Sequence, residues 1–144
     1  MNKYFVTKPQ VAGELGPATV YASRRPIMVL RAHFLLNQLP CDDLQETYPC
    51  FFATEDLIAK LESHQISGLE KESCLVALSD YVEEIASPVT PKFFRLIPPA
   101  FNQKYDISLA ESQQLVVSER LKRILEEFKM QDLDFEEITG NEWG

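Results

Sequence analysis

Three cysteines, Cys41, Cys50 and Cys74, and two histidines, His33 and His64, are the side chains of this sequence best suited to nucleophilic chemistry. A thiol attacks once a base draws off its proton, and the two partners need not be neighbours in the chain. No recognised signature surrounds any of the three cysteines. Their odd number, uneven spacing and lack of a C-x-x-C also argue against a disulfide framework or a structural zinc site. Buried free thiols in a reducing compartment are the expectation. His33 lies in an apolar run and reads as a core or half-buried histidine. His64 falls near a helix end, where a positive charge is favoured.

Carboxylates are the second candidate chemistry. Asp42, Asp43 and Glu46 form one group, and Asp132, Asp134, Glu136 and Glu137 form another. A hard divalent cation wants several oxygens from a tight, glycine-bearing loop, which Pro40 to Glu46 does not offer. No metal and no cofactor is therefore expected. The second group alternates with Leu133 and Phe135, the pattern of a strand with one wet face. Its chemistry would be an acidic rim that meets lysines and arginines of a protein partner. Phosphate cradles are missing, since neither G-x-x-x-x-G-K nor G-x-G-x-x-G occurs. Arg24, Arg25 and Arg31, with Tyr21 nearby, are the one basic cluster and read as a solvated loop rather than a nucleic-acid site.

The totals point the same way. A chain of 144 residues is one domain by the usual size scale, and a hydrophobic content of 45% is enough for a core. Its formal charge of -8 repels nucleic acid and anionic membrane and attracts basic partners. The charge is uneven: residues 1–40 hold five cations against Glu14 alone, whereas residues 41–72 and 106–144 each sum to -6. Met1 to Thr7 shows no secretory signal, and the longest apolar stretches, Ile27–Leu30 and His33–Leu36, are too short to span a bilayer. A cytoplasmic protein is the expectation.

The elements that would position these groups recur. Laid over Val116 to Glu136 with a shift of 64 positions, Phe52 to Glu72 gives six identities in 21 positions. Each unit opens with an apolar run suited to a strand, Cys50–Ala53 or Leu115–Val117. A hydroxyl residue follows, Thr54 or Ser118, able to cap a helix, and then Glu55 or Glu119 beside the positive end of the helix dipole. Leu57 and Leu61, like Leu121 and Leu125, lie one turn apart on one face. A second extended stretch closes each unit, near Leu69–Leu78 or Leu133–Ile138, with Gly68 at the first turn.

The expected fold is α+β. It is a single domain, 1–144, whose two strand–helix–strand units, near 50–78 and 115–138, form a sheet packed by helices as an internal duplication. Tyr4 to Thr7, Ile27 to Leu36 and Phe93 to Ile97 read as further strands, and residues 80–86 as a helical turn before Pro88. Asn102 to Glu111 reads as a loop. Phe51, Phe52, Phe93 and Phe94 are expected to put one ring of each pair on each sheet face, with the outward rings available to a partner.

Several segments resemble a family of bacterial polymorphic-toxin immunity proteins. Leu115-Val116-Val117-Ser118-Glu119-Arg120-Leu121-Lys122 with Leu125 is similar to its ending. Leu39-Pro40-Cys41-Asp42-Asp43-Leu44 with Tyr48-Pro49-Cys50-Phe51 is similar to its upstream stretch, and Phe93-Phe94-Arg95-Leu96-Ile97-Pro98 before Asp106 to its middle. The resemblance covers roughly residues 35–138. It implies a non-enzymatic protein that binds and neutralises a cognate toxin domain. The acidic residues Asp42, Asp43, Glu46, Asp132, Asp134, Glu136 and Glu137 are the expected partner-binding set, facing a basic toxin surface. A different class is an acidic adaptor or assembly subunit, such as a homodimer joined through an exposed strand edge. A small cysteine hydrolase is the third.

Overall fold

The computed structural model describes residues 3–85, 90–128 and 130–139, so Ala86, the last residue of the expected helical turn, and Pro88 after it lie outside the described residues. In chain order the elements are β1 (Tyr4–Lys8), β2 (Gly13–Leu15), β3 (Val20–Arg24), β4 (Ile27–Arg31), β5 (His33–Leu36), β6 (Leu44–Thr47), β7 (Cys50–Thr54) and α1 (Glu55–Ser63). There follow β8 (Lys71–Ser73), β9 (Leu75–Leu78), α2 (Asp80–Ile85), β10 (Phe93–Leu96), β11 (Ile107–Leu109), β12 (Leu115–Ser118), α3 (Glu119–Glu127) and β13 (Asp134–Glu137).

This is a mostly β architecture of four small sheets and three helices among the described residues. It corrects the expectation of one sheet built from two strand–helix–strand units and packed by helices. Each unit does run strand, helix, strand along the chain, but its two strands are not hydrogen-bonded neighbours. In the first sheet, ordered β11-β12-β1-β13, the N-terminal strand β1 lies between β12 and β13. In the second, ordered β6-β7-β10-β8, the distant strand β10 lies between β7 and β8. A local periodicity shows that a strand is buried; it does not show which remote strand will be inserted beside it.

Both insertions are antiparallel and follow one plan. Tyr4 faces Ser118 and Phe5 faces Glu137, while Phe93 faces Thr54 and Phe94 faces Ser73. The helices start as their sequences dictate. Thr54 Oγ1 accepts from the Leu57 N–H and Ser118 Oγ from the Leu121 N–H, both at 3.2 Å. Each cap satisfies an amide that has no partner within the helix. The next residue's N–H is taken up by the inserted strand: Glu55 donates to the Lys92 carbonyl and Glu119 to that of Lys3, both at 3.0 Å.

One core is shared. Phe51, Ala53, Leu57, Ile58 and Leu61 of the first unit pack with Leu115, Val117, Leu121, Ile124 and Leu125 of the second. Strand β12 is buried along its whole length, because Val116 on its other face packs with Tyr4 and Ala110. A second core fills the other face of the β7 sheet, against the three-stranded sheet β2-β5-β9, in which β5 and β9 run parallel. Phe52 stacks on Phe34 there with ring centres 4.3 Å apart, and Phe93 meets Phe34 edge-on. Phe51 and Phe52 do take opposite faces, but both faces are covered, so neither ring is left for a partner.

Other sequence readings resolve in detail. Ile27 to Leu36 splits at Ala32 into β4 and β5, and the stretch read as a loop from Asn102 to Glu111 contains β11. Gly68 has φ +85°, and a Cβ there would collide with the carbonyl of Ile107. Only glycine suits that turn.

Candidate functional site

The two acidic stretches, some 90 residues apart in sequence, meet in the structure. Asp42, in the loop entering β6, is their junction and is 7% exposed. Its carboxylate accepts from the backbone N–H groups of Gln131 and Asp132 at 2.9 and 2.8 Å, pinning the approach to β13. The amide of Gln10 completes the junction. Its Nε2 donates to Asp132 Oδ2 at 2.7 Å, while its oxygen accepts from the Asp42 N–H and from Gln45 Nε2. Gln45 is fully buried, and its oxygen accepts from the Ala12 N–H at 2.9 Å. Every arm of this network has a partner, as a buried polar cluster requires.

Beyond the junction the chain enters β13, an edge strand paired to β1 alone. Asp132, Asp134, Glu136 and Glu137 are exposed. Alternation along the strand puts Asp134 and Glu136 on one face and Phe135 and Glu137 on the other. Phe135 packs edge-on against Phe5, with the Lys122 ammonium over both rings. Glu137 pairs with Lys3 at 3.8 Å. Among the described residues no ion pair involves Asp134 or Glu136. Asp134 faces Lys8 across the ladder without closing an ion pair, and Glu136 faces Val6, so Glu136 has no cation opposite it.

The expected partner-binding set therefore divides. Asp42 is interior and spent on two backbone amides, so it does not belong to a rim. Asp43 is also engaged: its carboxylate accepts from the Thr54 hydroxyl at 2.5 Å, and its carbonyl from the Thr54 N–H at 2.9 Å. Glu46 is half-buried on β6, and burial raises its carboxyl above the usual range. Asp132, Asp134 and Glu136 remain as a fixed, exposed acidic edge, with Glu137 partly neutralised.

A second cluster went unread in the sequence. Asp106, before β11, accepts from the Ser118 hydroxyl at 2.7 Å, the Ser67 N–H at 3.0 Å and Arg120 Nη2 at 2.9 Å. Burial alone would raise its carboxyl, but bonds from Arg120, Ser118 and Ser67 prevail and hold it at about 2. Arg120 also donates to the carbonyls of His64 and Gln65, closing the end of α1. Ser67, Asp106, Ser118 and Arg120 line a groove of about 610 Å³ with Lys3, Lys104 and Arg123. Its guanidiniums are committed, Arg120 as described and Arg123 to Glu119 at 3.4 Å. The available signal was an Asp followed by an apolar and then a polar residue, upstream of a hydroxyl cap: Asp43-Leu44-Gln45 before Thr54, and Asp106-Ile107-Ser108 before Ser118.

The thiols are placed for packing. Cys50 is buried and raised in pKa, chiefly by burial. Cys41 is pushed up to about 11 by burial and by Asp43 and Asp42, and Cys74 to about 11 by burial and Glu72. Such groups hold little thiolate at neutral pH and make poor nucleophiles. His33 is buried, its Nδ1 accepting from the Ala18 N–H at 3.1 Å, while His64 caps α1. Among the described residues no group of three or more His, Cys, Asp or Glu is arranged to hold a metal, and no helix is long and apolar enough to cross a membrane. No protein-family model matches the chain, and a search of curated proteins returned no match.

Proposed function

We propose that this chain is an immunity protein, a binder without catalytic activity, that neutralises a cognate bacterial toxin domain by covering its active site or substrate groove. The carrying observation is the exposed edge of Asp132, Asp134 and Glu136, held in place by the buried clamp of Asp42 and Gln10. A row of exposed carboxylates on a -8 chain speeds encounter with a basic protein surface and restricts orientation. The resemblance of residues 35–138 to toxin-immunity proteins supports the same reading. Its segments include Asp42, which clamps the approach to β13, and β12, which shares the sheet of β13.

The test is co-purification with the product of the adjacent gene, followed by growth rescue in cells expressing that product. The double variant Asp134→Lys/Glu136→Lys should slow association roughly tenfold at low salt, an effect that fades as salt screens the charges. An association rate indifferent to both substitution and salt would reject the acidic edge. A second reading, an adaptor that pairs with its own copy, draws on the open outer edge of β13. It predicts a homodimer and no rescue.

A further inference from the structure

The ribbon β3–β4 departs from the rest of the molecule in both polarity and charge. No residue of either strand is buried, and the two strands form a sheet by themselves. Two-stranded ribbons are marginal in water unless something packs on them. This one exposes four large apolar side chains, Val20 at 45%, Ile27 at 42%, Met28 at 54% and Leu30 at 59%. Its attachment to the body runs through Val29, which packs on the second core and whose carbonyl accepts from Arg95 Nη1 at 2.9 Å.

Beside the ribbon lies a groove of about 210 Å³, walled by Ile27, Met28, Pro49, Ile97, Pro98 and Leu109. Arg24 and Arg25 sit at the turn, and Arg31 ends β4. Arg24 lies over the Tyr21 ring at 4.1 Å. Among the described residues none of the three guanidiniums is in an ion pair, on a chain with eight more acids than bases. Apolar exposure joined to unpaired arginine is the composition of an interface anchor rather than of a solvated loop.

We propose that the β3–β4 ribbon and the groove beside it form a second docking surface, which receives a carboxylate-bearing, apolar segment of the partner protein. This rests on the immunity reading and adds to it: the partner's contact face carries both signs, basic toward β13 and acidic toward the ribbon. Charge complementarity selects the occupant, because a guanidinium fork binds carboxylates in a two-pronged geometry. An anionic bilayer is disfavoured by the overall charge of -8. A second copy docking ribbon to ribbon would bring like charges together.

The experiment titrates the 144-residue chain against the purified product of the adjacent gene, by calorimetry, with two exposed-site variants. Met28→Glu/Leu30→Glu should weaken binding about 100-fold, since it puts charge where apolar anchors dock. Arg24→Gln/Arg25→Gln should weaken it about tenfold, and more steeply at low salt. An unchanged melting temperature shows that each variant folds. Parent-like affinity in both variants overturns the ribbon proposal and leaves the immunity reading intact. No binding by the parent chain overturns both. A dimer in sedimentation that the ribbon variants abolish makes a second copy the occupant and overturns the proposal. Ribbon-dependent binding to phosphatidylcholine–phosphatidylserine vesicles makes it a membrane and also overturns it.

Discussion

The β7–α1 and β12–α3 units solve the same problem with different numbers of aspartates. In each, an Asp before the outer hairpin strand binds the hydroxyl of the helix cap, Asp43 to Thr54 and Asp106 to Ser118. In each, an Asp also grips the chain leaving the other unit's helix. Asp106 takes the N–H of Ser67, after α1, while Asp42 takes those of Gln131 and Asp132, after α3. The second unit does both jobs with one carboxylate, reinforced by Arg120; the first divides them between Asp42 and Asp43. Each unit's exit is thus latched by its counterpart. The comparison teaches that the two halves are held as one body by reciprocal charge-assisted bonds as well as by their common core.

The core should show the equivalence at its largest scale. Leu57 and Leu121 are both fully buried in the shared cluster. Leu57→Ala and Leu121→Ala should each cost about 3 kcal/mol in urea unfolding, through lost burial and the cavity left behind. A difference beyond about 2 kcal/mol would break the comparison, because it would show one helix to be peripheral.

The aspartates should then separate the units. Asp106→Ala removes the shared acceptor of an amide, a hydroxyl and a guanidinium, and should cost roughly 2–3 kcal/mol. Asp43→Ala leaves Thr54 still able to cap α1, and should cost about 1 kcal/mol. Equal losses would mean that the division of labour has no energetic content.

Asp106 adds a dependence on pH with a definite sign. Its carboxyl is held at about 2 in the folded chain, against 3.8 ordinarily. A depressed acid stabilises the fold fully above about pH 4 and loses that contribution as pH falls towards 2, on the order of 2 kcal/mol in all. Melting curves of the parent should steepen downward across that window, and those of Asp106→Asn should not. Parallel curves would sink the assignment.

Much of each unit was legible because its signals are local. A cap hydroxyl, an acid after it and leucines one turn apart are written within ten residues, and Thr54, Ser118, Leu57 and Leu121 stand where those rules place them. The sheets were not legible, since the pairing of β1 with β12 joins residues more than 100 positions apart. Nor was the fate of the acids. Asp42 and Asp134 read alike in sequence, yet one is buried under two amides and the other is exposed. Burial of a carboxylate depends on which remote N–H groups arrive beside it, and nothing within its own stretch of chain encodes that. Asp106 escaped for the converse reason: it has no acidic neighbour to draw notice.

The finest test sets Glu72 against Glu136, which hold matching places on β8 and β13. Glu72 faces Arg95 across the ladder, and Glu136 faces Val6. The Arg95 side chain is 13% exposed and bonded to Glu72 at 3.2 Å, so Glu72→Lys sets a second cation against a largely buried one. That should cost about 1–2 kcal/mol. Glu136 has no ion pair among the described residues, and Glu136→Lys should change stability by less than about 0.5 kcal/mol. One glutamate is then committed to the fold and its counterpart is not. A Glu136→Lys variant as unstable as Glu72→Lys would show that the acidic edge serves folding, which would remove the observation on which its proposed role in recognition rests.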